Sequence, residues 1–150
     1  MAIQYEVEQS MNQLIQNMVN LVDKDTKIAN SSMEKHQIKN LLEVALETTS
    51  VEVVKHFILF QVGRDGPGTS WRHNDFGKKL VERIDNLRAT EGRLILDKVS
   101  PLSPNEAGQA QTALTNLLDE IWMLLTRAYL GQFNRYFYYR KEETRWPRVT

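Results

Sequence analysis

Apolar residues recur at intervals of three and four along most of the chain, and this spacing constrains the fold more than any other feature. The pattern is clear between Tyr5 and Val22, where glutamine and asparagine occupy many of the intervening positions. Such spacing places the apolar side chains on one stripe of an α-helix, whereas a half-buried strand needs strict alternation. The sequence contains no strand pairs, repeats or low-complexity tracts, so it predicts an all-α fold.

Two further helices are predicted by capping motifs at their N-termini. The spacing of a capping box occurs at Ser31–Glu34 and again at Thr49–Glu52, and this motif satisfies free backbone N–H groups in the first helical turn. The second helix should end near Glu47. The third should end at Gly63. We interpret its nearly continuous apolar run, Val51–Val62, as a buried helix, although its β-branched residues also allow a strand.

Glycine and proline mark the clearest break in the chain, the exposed loop Gly63–Ser70. Asp75 can cap a fourth helix, which we expect to be kinked or interrupted near Thr90–Gly92. Ser103–Glu106 combines a serine N-cap, proline at the first helical position and glutamate at the third, which is the strongest start signal of the chain. It predicts a long last helix that ends near Lys141.

A length of 150 residues suits one domain with one hydrophobic core. We therefore predict a single helical domain over 1–150, a bundle of about five helices with a long C-terminal helix. Within it, we expect 1–30 to form an N-terminal helix and linker, 31–141 the core bundle, and 142–150 a basic tail.

Composition narrows the possible functions. The chain has no cysteine, which excludes disulfides, thiolate zinc sites and cysteine nucleophiles, and which fits the cytoplasm. Its 19 basic and 19 acidic side chains cancel, so any charged partner must be met by a local patch. Charged residues interrupt the longest apolar run, and the N-terminus lacks the features of a secretion signal, so we expect no membrane partner.

We find no constellation of catalytic or metal-binding residues. His36, His56 and His73 are not spaced with a further histidine or carboxylate in a metal-binding pattern. The carboxylate pair Asp119–Glu120 is adjacent in sequence, so on a helix its members point about 100° apart. The glycine-rich loop lacks the lysine and serine that end a phosphate-binding loop. We expect no enzymatic activity, no cofactor and no metal.

Basic and aromatic residues are concentrated in two places. The first begins in the glycine-rich loop and enters the fourth helix, where Lys79 and Arg83 are four residues apart and share a face. The second is the C-terminal region, where the four consecutive aromatic residues Tyr136–Tyr139 cannot all face one core. Some of them must be exposed, covered by another chain, or stacked on bases, because aromatic rings beside guanidinium groups are typical of surfaces that bind unpaired bases.

Three segments together resemble a known family. They are Gln37–Leu42 in the second helix, Phe57–Asp65 at the end of the third, and the aromatic stretch Gln132–Tyr139 in the last. In their order and approximate spacing, over about residues 35 to 140, the chain is similar to the small helical subunit of type III CRISPR effector complexes. The resemblance implies a non-catalytic bundle that stacks in several copies beside guide RNA and its bound target, with Arg64 as the first candidate contact.

These observations lead to one hypothesis and one alternative. The hypothesis is an architectural subunit of an RNA-guided antiviral complex, which binds other effector subunits, copies of itself, and guide RNA or single-stranded target. The alternative is a helical adaptor or homo-oligomer that binds no nucleic acid and docks through its aromatic C-terminal surface. The residues predicted to contact nucleic acid are Arg64, Arg72, Lys78, Lys79, Arg83, Arg135 and Arg140.

Overall fold

The computed structural model describes residues 2–100 and 107–145, with the side chains of 2–100 and 111–144. Within these ranges the chain is all-α and contains no strand. The predicted fold class is therefore confirmed, including the long C-terminal helix. The predicted start signal at Ser103–Glu106 lies outside the described residues. The helices are α1 (Ala2–Gln9), α2 (Met11–Asn20), α3 (Lys35–Glu47), α4 (Val51–Arg64), α5 (Phe76–Leu87), α6 (Arg93–Val99) and α7 (Ala107–Arg145).

Short turns join several of these helices into longer rods. Ser10 keeps helical dihedral angles between α1 and α2, and a π-helical turn, Leu21–Asp25, continues α2. A second π-helical turn, Arg88–Gly92, joins α5 to α6, which confirms the predicted interruption. We call each single helix, or each run of helices joined in this way, a rod. The described residues form five rods. The first spans the predicted first helix, and the fourth runs from α5 through α6.

The start of α3 differs from the prediction. Glu34, not Ser31, is the N-cap, and the side-chain Oε1 of Gln37 accepts a hydrogen bond of 2.8 Å from the Glu34 N–H. Ser31 Oγ instead accepts a bond from the Met33 N–H. Glu34 and Gln37 thus form the capping box of α3, and Met33, just before it, is completely buried.

The predicted capping interactions of α4 and α5 are also absent from the described residues. Ser50 occupies the N-cap of α4 and makes no side-chain capping bond, so the predicted Thr49–Glu52 capping box was wrong. Asp75 does occupy the N-cap of α5, as predicted. Its backbone is left-handed, however, with φ of 57°, and its carboxylate makes no capping bond.

Only one side of α4 is buried, which corrects the prediction of a helix buried nearly all round. Val54 and Ile58 lie in the core, whereas Val53, Leu59 and Phe60 are exposed. The reason is that α4 packs against α3 and α5 but makes little contact with the central helix α7. The apolar run of the sequence therefore serves the core on one side and leaves a surface on the other.

The long helix α7 runs through the centre of the fold and packs mainly against α3 and α2. It continues to Arg145, into the segment predicted as a basic tail, and residues 146–150 lie outside the described residues. Its aromatic side chains Tyr129, Phe133 and Phe137 are buried in the core, where the Phe133 ring packs against the Phe76 ring of α5 at a centroid distance of 5.6 Å. No helix in the described ranges has the length and apolar character needed to cross a membrane.

Candidate nucleic-acid interface

The end of α4 and the start of α5 approach each other at Gly77. A Cβ atom at this position would lie 2.2 Å from the Cγ2 of Val62 and 3.1 Å from the carbonyl oxygen of Trp71. Only glycine therefore permits this packing, which sets the spacing between the two helices. Sequence reasoning missed Gly77. The available signal was a glycine at the second position of a predicted helix, where helix propensity alone disfavours it.

The turn between these helices, 65–75, is held by hydrogen bonds and carries backbone strain. Asp65 Oδ2 accepts a bond of 2.8 Å from the Trp71 N–H, and Asn74 donates to the carbonyl of Thr26. Ser70, Asn74 and Asp75 have positive φ angles of 46°, 48° and 57°. Such residues cost about 1–3 kcal/mol each unless, like asparagine and aspartate, they tolerate this region. Residues 66–69 of the predicted loop are exposed, as expected, whereas Gly63 and Arg64 belong to α4.

Arg64 and Phe60 form a cation–π pair at the exposed end of α4. The guanidinium carbon of Arg64 lies 5.7 Å from the centroid of the Phe60 ring, and 62% of Phe60 is exposed. The two residues are one helical turn apart and so share a face. An exposed ring beside a guanidinium group can stack on an unpaired base while the charge meets its phosphate.

Arg72 and Lys78 lie in the turn after α4 and in the first turn of α5. Arg72 Nε donates a hydrogen bond of 2.6 Å to the carbonyl of Val62 and so satisfies the end of α4. Both cations line a pocket of about 310 Å³, together with Val62, Pro67, Trp71 and Asp75. We call this the α4–α5 pocket. Arg64, Arg72 and Lys78 form no ion pair within the described residues, and we call them the open basic group.

Lys79 and Arg83 point elsewhere and are already engaged by the chain. Lys79 Nζ donates to the carbonyl of Asp25 at 2.9 Å. Arg83 donates to the backbone and side-chain oxygens of Asn17 at 2.9 and 2.6 Å and forms an ion pair with Asp25. We call these two residues the paired basic group. They join α5 to the first rod, where Tyr129 also donates to Asn17, and burial raises the pKa of that tyrosine.

The two predicted arginines of α7 also differ from each other. Arg135 is exposed, whereas Arg140 donates to Asp23 at 3.0 Å and to Glu143 at 2.6 Å. The hydrogen bond to Asp23 is the main reason that the pKa of Arg140 is raised. Tyr136 donates to the same Asp23 carboxylate, and burial, aided by that bond, raises the pKa of Tyr136 to about 12.

The aromatic residues of the C-terminal region divide between core and surface. Phe133 and Phe137 are buried and stacked on each other, whereas Tyr138 and Tyr139 are exposed. The prediction that Tyr136–Tyr139 cannot all face one core is thereby confirmed. Lys35 lies over the Tyr138 ring at 4.0 Å and forms an ion pair with Glu142. Trp146 and Arg148 lie outside the described residues.

A second pocket, of about 530 Å³, lies at the start of α4. Its cations are neutralised by its own carboxylates, because Lys55 Nζ lies 2.7 Å from Asp85 and Arg88 Nε lies 3.3 Å from Asp119. In the described part of the chain, no group of three or more histidine and carboxylate side chains could hold a metal ion. This pocket therefore offers less free charge than the open basic group.

Comparisons with protein-family models, with curated proteins and with solved structures found no match. The likeness to the small subunit of type III CRISPR effector complexes remains a prediction from short motifs.

Proposed function

We propose that the chain is a non-catalytic architectural subunit of a cytoplasmic, RNA-guided antiviral ribonucleoprotein complex, of the type III CRISPR kind. In this proposal it supports guide RNA or single-stranded target and binds larger effector subunits and copies of itself. The observation that carries the proposal is the exposed Phe60–Arg64 pair in the last turns of α4, the helix end to which Arg72 also donates a hydrogen bond. The pair offers a stacking surface, and Arg64, Arg72 and Lys78 supply three cations that form no ion pair within the described residues.

The net charge of the chain favours a subunit of a larger complex over an independent nucleic-acid-binding protein. The formal net charge is zero, so the affinity for a strand must come from a few local contacts rather than from a general positive field. A subunit that is held in its complex mainly by protein contacts needs only a few such contacts to the strand. Neighbouring subunits then neutralise the remaining phosphates.

The geometry also divides the predicted contact residues by role. Arg64, Arg72 and Lys78 contact the strand in our proposal, and exposed Arg135 is a further candidate. Lys79, Arg83 and Arg140 instead hold helices together, because their donors are directed at Asn17, Asp23 and Asp25 of the first rod. No catalytic residue or cofactor is part of the proposal.

A helical adaptor that binds no nucleic acid is the second candidate. It is favoured by the exposed apolar residues Val53, Leu59 and Phe60 on α4, and by exposed Tyr138 and Tyr139 on α7. Rings and aliphatic side chains of this kind are enriched in protein interfaces. Under this alternative, Phe60 packs against a protein and Arg64 lies at the polar rim.

The test is gentle affinity purification of the tagged chain from its source cell, with mass spectrometry and sequencing of retained RNA. We expect discrete short guide-like RNAs together with larger subunits. The variant Arg64→Glu/Lys78→Glu should retain the protein partners and lose part of the RNA, whereas Arg93→Glu, at an exposed position of α6, should lose neither. Protein partners without RNA would refute the proposal and favour the adaptor.

A further inference from the structure

The π-helical turn that ends the first rod, Leu21–Asp25, contains two carboxylates, and both are engaged by other helices. Asp23 accepts hydrogen bonds from Tyr136 and Arg140 of α7. Asp25 forms an ion pair with Arg83 of α5. Both carboxylates are thus occupied by residues that lie far away in sequence.

Two lysines of the same region, Lys24 and Lys27, are exposed instead. Neither forms an ion pair or a side-chain hydrogen bond within the described residues. Because the neighbouring carboxylates are occupied, these lysines leave a local excess of positive charge that the zero net charge of the whole chain conceals. We call Lys24 and Lys27 the linker lysines.

Lys27 also carries backbone strain. Its φ and ψ angles of 50° and 40° lie in the left-handed region, which glycine adopts far more readily than lysine. Its two neighbours, Thr26 and Ile28, are completely buried, so the surrounding fold holds this conformation in place. A lysine here lowers stability relative to glycine, and its side chain makes no hydrogen bond or ion pair within the described residues that would offset the loss. Strain of this kind is concentrated at functional sites.

A hydrogen bond joins this strained residue to the turn that carries part of the open basic group. Asn74 Nδ2 donates to the carbonyl of Thr26, directly before Lys27, at 2.9 Å. Asn74 lies two residues after Arg72 in the turn between α4 and α5. Lys27 and Arg72 are therefore both within two residues of one fixed contact, and a strand bound at the open basic group passes close to the linker lysines.

We propose that Lys27, with Lys24 beside it, binds a phosphate of the strand beyond the open basic group. This inference rests on the proposed function and adds a contact residue on a second segment of the chain. The lysine ammonium is a point charge on a flexible stem, so it contacts phosphates without reading bases. Such a contact suits a subunit that supports strands of any sequence.

The binding and the stability of the full chain with Lys27→Gly, measured together, test this inference. Affinity for an eight-nucleotide oligouridylate is measured by fluorescence anisotropy over a range of salt concentrations, and stability by urea denaturation. Lys27→Gly should weaken binding and lower the slope of log affinity against log salt by about 0.7, the value for one contact to a single-stranded phosphate. The same variant should raise the urea midpoint, because glycine relieves the left-handed strain.

Two further variants serve as controls. Lys27→Arg keeps both the charge and the strain, so it should match the parent chain in affinity, salt slope and urea midpoint. Arg93→Ala removes one positive charge from an exposed position of α6 and should leave the affinity and its salt slope unchanged. A merely structural role for Lys27 would change the urea midpoint without changing the salt slope.

Each failure has a distinct meaning. If the oligonucleotide binds the parent chain and Lys27→Gly equally and with the same salt slope, the assignment of Lys27 is overturned and the proposed function stands. If Lys27→Gly lowers the urea midpoint, Lys27 is not a strained residue retained for binding, and the assignment is overturned as well. If Lys27→Gly loses a protein subunit but keeps RNA in the purification from the source cell, Lys27 is a protein contact instead. If no chain binds the oligonucleotide, the proposed function fails, and this inference fails with it.

Discussion

Lys78 and Lys79 are adjacent in sequence, yet they belong to different parts of the molecule. Lys78 lies at the rim of the α4–α5 pocket with the open basic group, whereas Lys79 joins Arg83 in binding the first rod. The cause is the geometry of the helix, in which successive side chains point about 100° apart. One run of basic residues therefore contains a surface free to bind a partner and a set of contacts that holds the fold together.

The difference between the two groups lies in what faces them. The paired group faces Asn17 and Asp25, whose oxygens accept its donors. The open group has an aromatic ring beside Arg64 and the carboxylates of Asp65 and Asp75 nearby, but it forms no ion pair with them within the described residues. Substitutions in the paired group should therefore change stability, and substitutions in the open group should change binding.

The largest expected effect is that of Arg83→Met on stability. The substitution removes two hydrogen bonds to Asn17, so we expect the free energy of unfolding to fall by about 2–3 kcal/mol. The ion pair with Asp25 adds little, because that carboxylate is 42% exposed. Urea denaturation measures the change. Lys78→Met is the control and should stay within about 0.5 kcal/mol of the parent chain; equal losses would remove the distinction between the two groups.

Gly77→Ala should have the next largest effect. The new methyl group would overlap Val62, and overpacking of this kind costs about 1–3 kcal/mol. Because the same contact shapes the α4–α5 pocket, binding by the open group should weaken too. Gly131→Ala is the matched control: nothing lies within 4 Å of its added carbon, so it should stabilise α7 by about 0.5–1 kcal/mol. Similar effects from both variants would contradict the packing described for Gly77.

Tyr136→Phe should have the smallest effect on the free energy of unfolding. The effect is best seen in how that free energy depends on pH. Removal of the hydrogen bond to Asp23 costs about 0.5–1.5 kcal/mol at neutral pH. The pKa of Tyr136 is raised from 10.0 to about 12, so the folded chain holds this proton more tightly than the unfolded chain does. That stabilisation is complete below pH 10 and is lost as pH rises to 12.

Urea titrations at several pH values between 10 and 12 measure this decline. The variant should show a shallower decline of stability than the parent chain. Some decline should remain, since burial also raises the pKa of Tyr129. An identical decline in both chains would contradict the assigned role of Tyr136.

Periodicity and turn residues were enough to predict the helical class, the long last helix and the interruption before α6. Capping was less predictable, because the sequence offers two overlapping capping-box spacings, Ser31–Glu34 and Glu34–Gln37, and α3 uses the second. The exposed side of α4 was missed for a related reason. A run of apolar residues shows that a helix is hydrophobic, but not how many neighbours it has.

The candidate site was predictable in its residue types but not in its grouping. Arg64, Arg72 and Lys78 were identified by charge and by their place near the glycine-rich loop. Their separation from Arg83 depends on Asn17 and Asp25, which are distant in sequence and reach α5 only in the folded chain. Gly77 was missed because its importance comes from a missing methyl group, which lets α4 and α5 approach each other.

The most direct test of the central claim is the salt dependence of oligouridylate binding, measured by fluorescence anisotropy for three chains. Arg64→Glu/Lys78→Glu should weaken binding and reduce the slope of log affinity against log salt by about 0.7 for each phosphate that the variant no longer binds. Arg93→Glu, on the same rod about 22 Å from Lys78 at 1.5 Å per residue, should match the parent chain. Equally weakened binding in both variants, or unchanged binding in the double variant, would contradict a binding surface at the open basic group.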